Sequence, residues 1–145
     1  MPTNNIFANV ELTGGQPWAV KIEETWGGDQ SYVNNVFYEI DSPTPSSSGL
    51  FYRSGTEFKN NIVVGCSPSG TLTGEYSLFY GNGAAAAGSH VVEADPHFTG
   101  PGAGDFTLVS GYSPALDAGD PSSLYDDVDG TRNDLGAYGG SYGAW

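Results

Sequence analysis

The chain has 145 residues, enough for one domain with a core of its own. Hydrophobic residues make up 38% and aromatics 13% against only 14% charged, which excludes an intrinsically disordered chain. Seventeen acids against four bases give a formal charge of −13, a field that repels a phosphate backbone and so argues against nucleic acid as a partner.

No apolar run reaches membrane-spanning length, so no membrane span is expected, and no stretch keeps a 3.6-residue apolar period. Short apolar runs punctuated by Gly, Asn, Ser and Thr give an all-β class. Cys66 is the single cysteine, so no intrachain disulfide forms. The opening Met1-Pro2-Thr3 carries no signal peptide, which implies that a leader has been removed or that the chain is a fragment of a longer protein.

One phrase recurs along the chain. Asn4-Asn5-Ile6-Phe7 returns as Asn34-Asn35-Val36-Phe37 and as Asn60-Asn61-Ile62-Val63, and a degenerate copy stands at Tyr76-Ser77-Leu78-Phe79, at offsets of 30, 26 and 16 residues. A polar pair that suits a bend, followed by residues that suit a strand, repeats at the spacing of stacked-repeat architectures. If each copy turns the same corner of a coil, Asn5, Asn35 and Asn61 stack and exchange side-chain hydrogen bonds at the strand spacing of about 4.8 Å. Which of the two apolar neighbours, Ile6 or Phe7 and their equivalents, faces inward stays open, because a slip of one residue exchanges the faces.

In chain order, Ile6 to Val10 form the first strand and the N-terminal end reads as open, with Ile6, Phe7 and Val10 on an uncapped edge. Trp18 to Glu23 alternate, with Val20 and Ile22 inward and Lys21 and Glu23 outward. Asp41 to Gly49 is a polar, proline-bearing excursion, and a strand resumes at Leu50-Phe51-Tyr52-Arg53. Gly81 to Gly88 carries too few alanines to hold a helix, and beyond it the repeat disappears. From His90 onward the chain is turn dipeptides and acids, crossed by one apolar strand at Phe106-Thr107-Leu108-Val109.

This last region carries a series of phrases in fixed order. Ala94-Asp95-Pro96-His97-Phe98 comes first, then Gly104-Asp105-Phe106-Thr107-Leu108, then Ser113-Pro114-Ala115-Leu116-Asp117-Ala118-Gly119-Asp120-Pro121. Asp127-Val128-Asp129-Gly130-Thr131-Arg132 and Asp134-Leu135-Gly136-Ala137-Tyr138 follow. The series resembles the closing segment of right-handed parallel β-helix proteins of the pectate-lyase-like superfamily, found in large bacterial surface and secreted proteins. The resemblance implies a right-handed parallel β-helix of about four coils over residues 1–93, closed by an acidic segment over 94–145. It implies an extracellular or cell-surface setting, with further coils ahead of residue 1. Relatives that are lyases use a basic side chain, often with Ca²⁺, and those that are hydrolases use paired aspartates.

Neither kind of catalytic cluster is evident here. Lys21, Arg53, Lys59, His90, His97 and Arg132 are scattered, and the adjacent Glu23 and Glu24 point to opposite faces of a strand. Catalytic residues are therefore assigned to none. Asp126, Asp127, Asp129 and Asp134 lie close together beside Gly130, an oxygen-rich loop of the kind that holds Ca²⁺; the alternative is that they cap turns by accepting backbone N–H bonds. Trp18, Trp26, Tyr32 and Tyr52 are candidates to stack a sugar ring. The reading that results is a non-catalytic scaffold or carbohydrate-binding module, its partner a polysaccharide. The alternatives are a head-to-tail assembly of copies, with Tyr142 and Trp145 on the docking tail, and a fragment of a polysaccharide lyase or glycoside hydrolase.

Overall fold

The structure is a computed structural model, described here for residues 3–11, 18–22, 31–41, 48–52 and 57–143. It is all-β, with three parallel sheets followed by an irregular segment. The first sheet takes β1 (Ile6–Ala8), β4 (Val36–Tyr38), β7 (Ile62–Val64) and β9 (Leu78–Tyr80) in that spatial order. The second pairs β2 (Trp18–Ile22) with β5 (Ser48–Tyr52). The third runs β3 (Ser31–Val33), β6 (Glu57–Lys59), β8 (Leu72–Glu75) and β10 (Ala86–Ser89). Because each sheet holds its strands in chain order, the backbone visits the three sheets in turn and returns one level on.

The recurring phrase sets the register of the first sheet. Ile6 stands beside Val36, Val36 beside Ile62 and Ile62 beside Leu78. The first Asn of each pair sits in the left-handed region, at φ 54 for Asn4, 55 for Asn34 and 56 for Asn60, with Tyr76 at 44 in the degenerate copy. A matching corner follows the strand at Asn9, Glu39, Gly65 and Gly81, all at positive φ. Asparagine tolerates this conformation because its short polar side chain bonds locally, which explains the residue type at the leading corner.

Both apolar neighbours are buried, one on each side of the sheet. Phe37, Val63 and Phe79 point inward, where they meet Leu50, Phe58 and Leu72 from the other two sheets; Phe7, Val10, Val20 and Tyr32 pack against the same cluster. Phe7 and Phe37 stack with ring centroids 5.1 Å apart. Val36, Ile62 and Leu78 point outward instead, into a second cluster completed by Phe106, Ala115, Leu135 and Ala137 of the closing segment. Each such aliphatic side chain removed from water contributes about 2 kcal/mol, so the closing segment is fastened by a core of its own.

The offset falls from 26 to 16 residues because the second sheet shrinks. It has full strands at two levels, then only the bridge of Leu50 to Pro68, then a turn in which Gly83 donates to the Cys66 carbonyl. Two features depart from the sequence reading. The stacking does not end at Gly88: β10 pairs with β8 in parallel and Val92 bridges to Leu78, adding one partial level. The apolar strand of the closing segment is half of an antiparallel hairpin, β11 (Phe98–Gly100) and β12 (Asp105–Leu108), joined by a 3₁₀ turn at Pro101–Ala103.

Candidate functional site

The two members of each Asn pair do different work. The second members form a column. The Asn5 side-chain amide donates to Oδ1 of Asn35 at 3.1 Å, and the Asn35 amide donates to Oδ1 of Asn61 at 3.1 Å. The backbone N–H groups of Asn5 and Asn35 reach the same two acceptors, and Asn61 N–H ends on Ser77 Oγ at 3.2 Å. The Asn5 and Asn35 side-chain amides and all three backbone N–H groups donate toward the C-terminal side of the stack, while the Asn61 amide turns back to the Tyr32 carbonyl at 2.8 Å. The column is therefore polar, and among the described residues nothing donates to Oδ1 of the exposed Asn5.

The first members face outward and hold the closing segment. Asn4 donates to the carbonyls of Ala137 and Gly139 at 2.9 and 2.7 Å. Asn34 donates to Oδ1 of the buried Asn133 at 3.1 Å and to the Asp134 carbonyl at 3.0 Å. Asn60 accepts from the Asp120 backbone N–H at 2.9 Å, while its carbonyl takes the N–H of Gly136. Sequence reasoning named only the second members; the signal for the first was already present, in the same phrase, one residue earlier.

Lys59 reinforces this seam by pairing with two acids. Lys59 Nζ lies 2.8 Å from Asp120 and 3.3 Å from Glu75, with its charge over the Tyr125 ring. Burial works against the ammonium, but the hydrogen bonds to Asp120 and Glu75 outweigh it and raise its pKa. For Asp120, too, burial pushes up, yet the bond from Lys59 prevails and the carboxyl falls below its ordinary value. Arg132 donates to the carbonyls of Gly119 and Ala118, and His90 stacks on Tyr76 at 4.3 Å. These bases serve the packing of the closing segment.

The acids around Gly130 do the same. Asp127 accepts from the N–H groups of Asp134 and Gly140, Asp129 from the N–H and hydroxyl of Thr131, and Asp134 from the N–H of Asp117. Among the described residues no group of three or more His, Cys, Asp or Glu is placed to hold a metal ion, Asp126, Asp127, Asp129 and Asp134 included.

The other candidates are dispersed. Tyr32 is half-buried and packs against the interior cluster. Trp18 and Tyr52 lie in the two strands of the second sheet, while Trp26 and Trp145 fall outside the described residues. Of the proposed assembly edge, Ile6 packs toward the closing segment and Phe7 and Val10 toward the interior. Tyr142 is 78% exposed and sits beside Asn4 of its own chain, at the same end of the stack. No helix among the described residues is long and apolar enough to cross a membrane.

One cleft opens beside the seam. It measures about 190 Å³ and lies between the third sheet, at Ser31, Val33 and Glu57, and the closing segment, at Leu124, Tyr125 and Tyr142. Comparison with protein-family models, curated proteins and solved structures returned no match.

Proposed function

We propose that this chain is an end module of a right-handed parallel β-helix of the pectate-lyase-like kind, a non-catalytic scaffold in an extracellular or surface protein. The observation that carries this reading is the polar asparagine column, which among the described residues ends on a bare acceptor at Asn5 beside an unpaired edge of β1. Such an edge is a template for one more parallel strand, and the acceptor is matched to an Asn on the incoming level. Stacked repeats gain stability from each neighbour interface, so an added level should strengthen the whole.

The test is to place a second copy of residues 31–56 ahead of Met1 and to measure urea unfolding. A higher midpoint with a larger m-value is expected; an unchanged midpoint would show that the edge does not take a coil. The same edge favours a second reading, in which the incoming level belongs to another copy. Light scattering at rising concentration separates the two, since a chain that stays monomeric at high concentration counts against self-assembly. A lyase or hydrolase is disfavoured because the bases and acids of the seam are occupied in packing; release of unsaturated uronate or reducing sugar by this chain would overturn the scaffold reading.

A further inference from the structure

We propose that the cleft at Ser31 and Glu57 binds a small organic cation, an ammonium on a short apolar stem of the kind a lysine side chain presents. This goes beyond the scaffold reading and does not depend on it. Ser31 is only 5% exposed, yet its Oγ is buried without a hydrogen-bond partner among the described residues. Buried hydroxyls are ordinarily satisfied, so an unpartnered one on the wall of a cleft marks a place where a ligand atom belongs. Ser31 and Glu57 are register partners on β3 and β6, about one strand spacing apart. Tyr32 and Phe58, their neighbours in sequence, pack inward, which turns Ser31 and Glu57 outward to the same face.

The chemistry of the cleft selects charge and size. Among the described residues Glu57 is the only charged one on its walls, and Val33, Leu124 and Tyr142 make the remainder largely apolar. Leu124 is 83% exposed and Tyr142 78%, an apolar rim held open to solvent. The Tyr125 ring already carries a cation, Lys59 Nζ at 5.2 Å, whose charge is answered by Asp120 and Glu75 rather than by Glu57. A volume near 190 Å³ is below the roughly 300–1,000 Å³ of drug-sized pockets and suits one side chain. The overall charge of −13 draws cations toward the site and repels anions. An ammonium would donate to the Glu57 carboxylate and Ser31 Oγ while its stem lies against Leu124 and Tyr142.

The experiment titrates the full chain with n-butylammonium chloride at constant ionic strength, following the Leu124 methyl and Tyr142 ring resonances. Saturable shifts are expected, at an affinity at least fivefold above that of n-butanol, with none from sodium butyrate. Glu57→Gln should weaken binding at least fivefold and leave the unfolding midpoint unchanged, and Ser31→Ala should weaken it about threefold. Equal binding of butanol and butylammonium, an unaffected Glu57→Gln variant, or saturation by methyl glucoside alone would overturn the proposal. Nα-acetyl-lysine methylamide distinguishes the source of the ligand. Tighter binding than butylammonium supports a lysine carried on a peptide, and weaker binding supports a free amine.

Discussion

At the scale of single residues, the Asn-Asn pair combines two solutions to two problems of a tight parallel stack. The chain must reverse into the left-handed region at each level, and the buried backbone groups at the corner must find partners. Asn4, Asn34 and Asn60 answer the first, and Asn5, Asn35 and Asn61 answer the second. Position along the column decides how much each rung contributes. Asn35 is fully buried, with neighbours above and below, so Asn35→Ala strands donors and acceptors on both sides and should cost about 3 kcal/mol. Asn5 is exposed and bonded on one side only, so Asn5→Ala should cost about 0.5–1 kcal/mol. Urea unfolding of the two variants checks this, and equal losses would mean that the column does not act as a buried network.

At the scale of elements, the closing segment is attached by shape as well as by hydrogen bonds. Gly136 lies flat against the first sheet at φ +88, and an added Cβ would come within 2.8 Å of Ile62 Cδ1 and 3.1 Å of Val36 Cγ2. Gly136→Ala should therefore destabilise by about 2 kcal/mol, from backbone strain and overpacking together. Hydrogen exchange should localise the loss to residues 113–140; an even loss over the sheets would contradict separate fastening. These elements also show what a reader of the sequence can and cannot recover. The offsets of the phrase contain the register of β1, β4, β7 and β9, because the same two requirements return at every level. The direction of the apolar pair was not readable, since both faces of this sheet are covered and alternation carries no sign. β10 was missed because Ala86 to Ser89 have low strand propensity and are held by pairing with β8. The cleft joins residues well over a hundred positions apart, Ser31 and Tyr142 among them, and no local pattern announces such a meeting.

At the scale of the whole molecule, the acidity of the chain loads the closing segment. Burial pushes the Asp134 carboxyl up to about 6, with the charges of Asp127, Asp117 and Asp129 adding to the rise. The ordinary value is 3.8, so between 3.8 and about 6 the folded chain holds a proton that the unfolded chain has released. The contribution of Asp134 to stability therefore falls as pH rises through that window. Asp120 runs the other way: its lowered pKa contributes stability that is present above its unfolded value and lost as pH falls through its folded value. Asp134→Asn keeps the acceptor for Asp117 N–H and removes the charge. It should raise stability at pH 7 by on the order of 1 kcal/mol, allowing for solvent screening of a half-buried group, and change little at pH 4. Denaturation midpoints at the two pH values test the sign.

The dwindling second sheet has a consequence at this same scale. A prism of constant cross-section would accept newcomers equally at top and bottom, but this stack narrows from two full strands to a bridge and then a turn. A full-width level matches only the broad end, where the asparagine column also presents its bare acceptor. A level added by stacking would therefore meet unlike faces at the two ends, full width at one and a turn at the other.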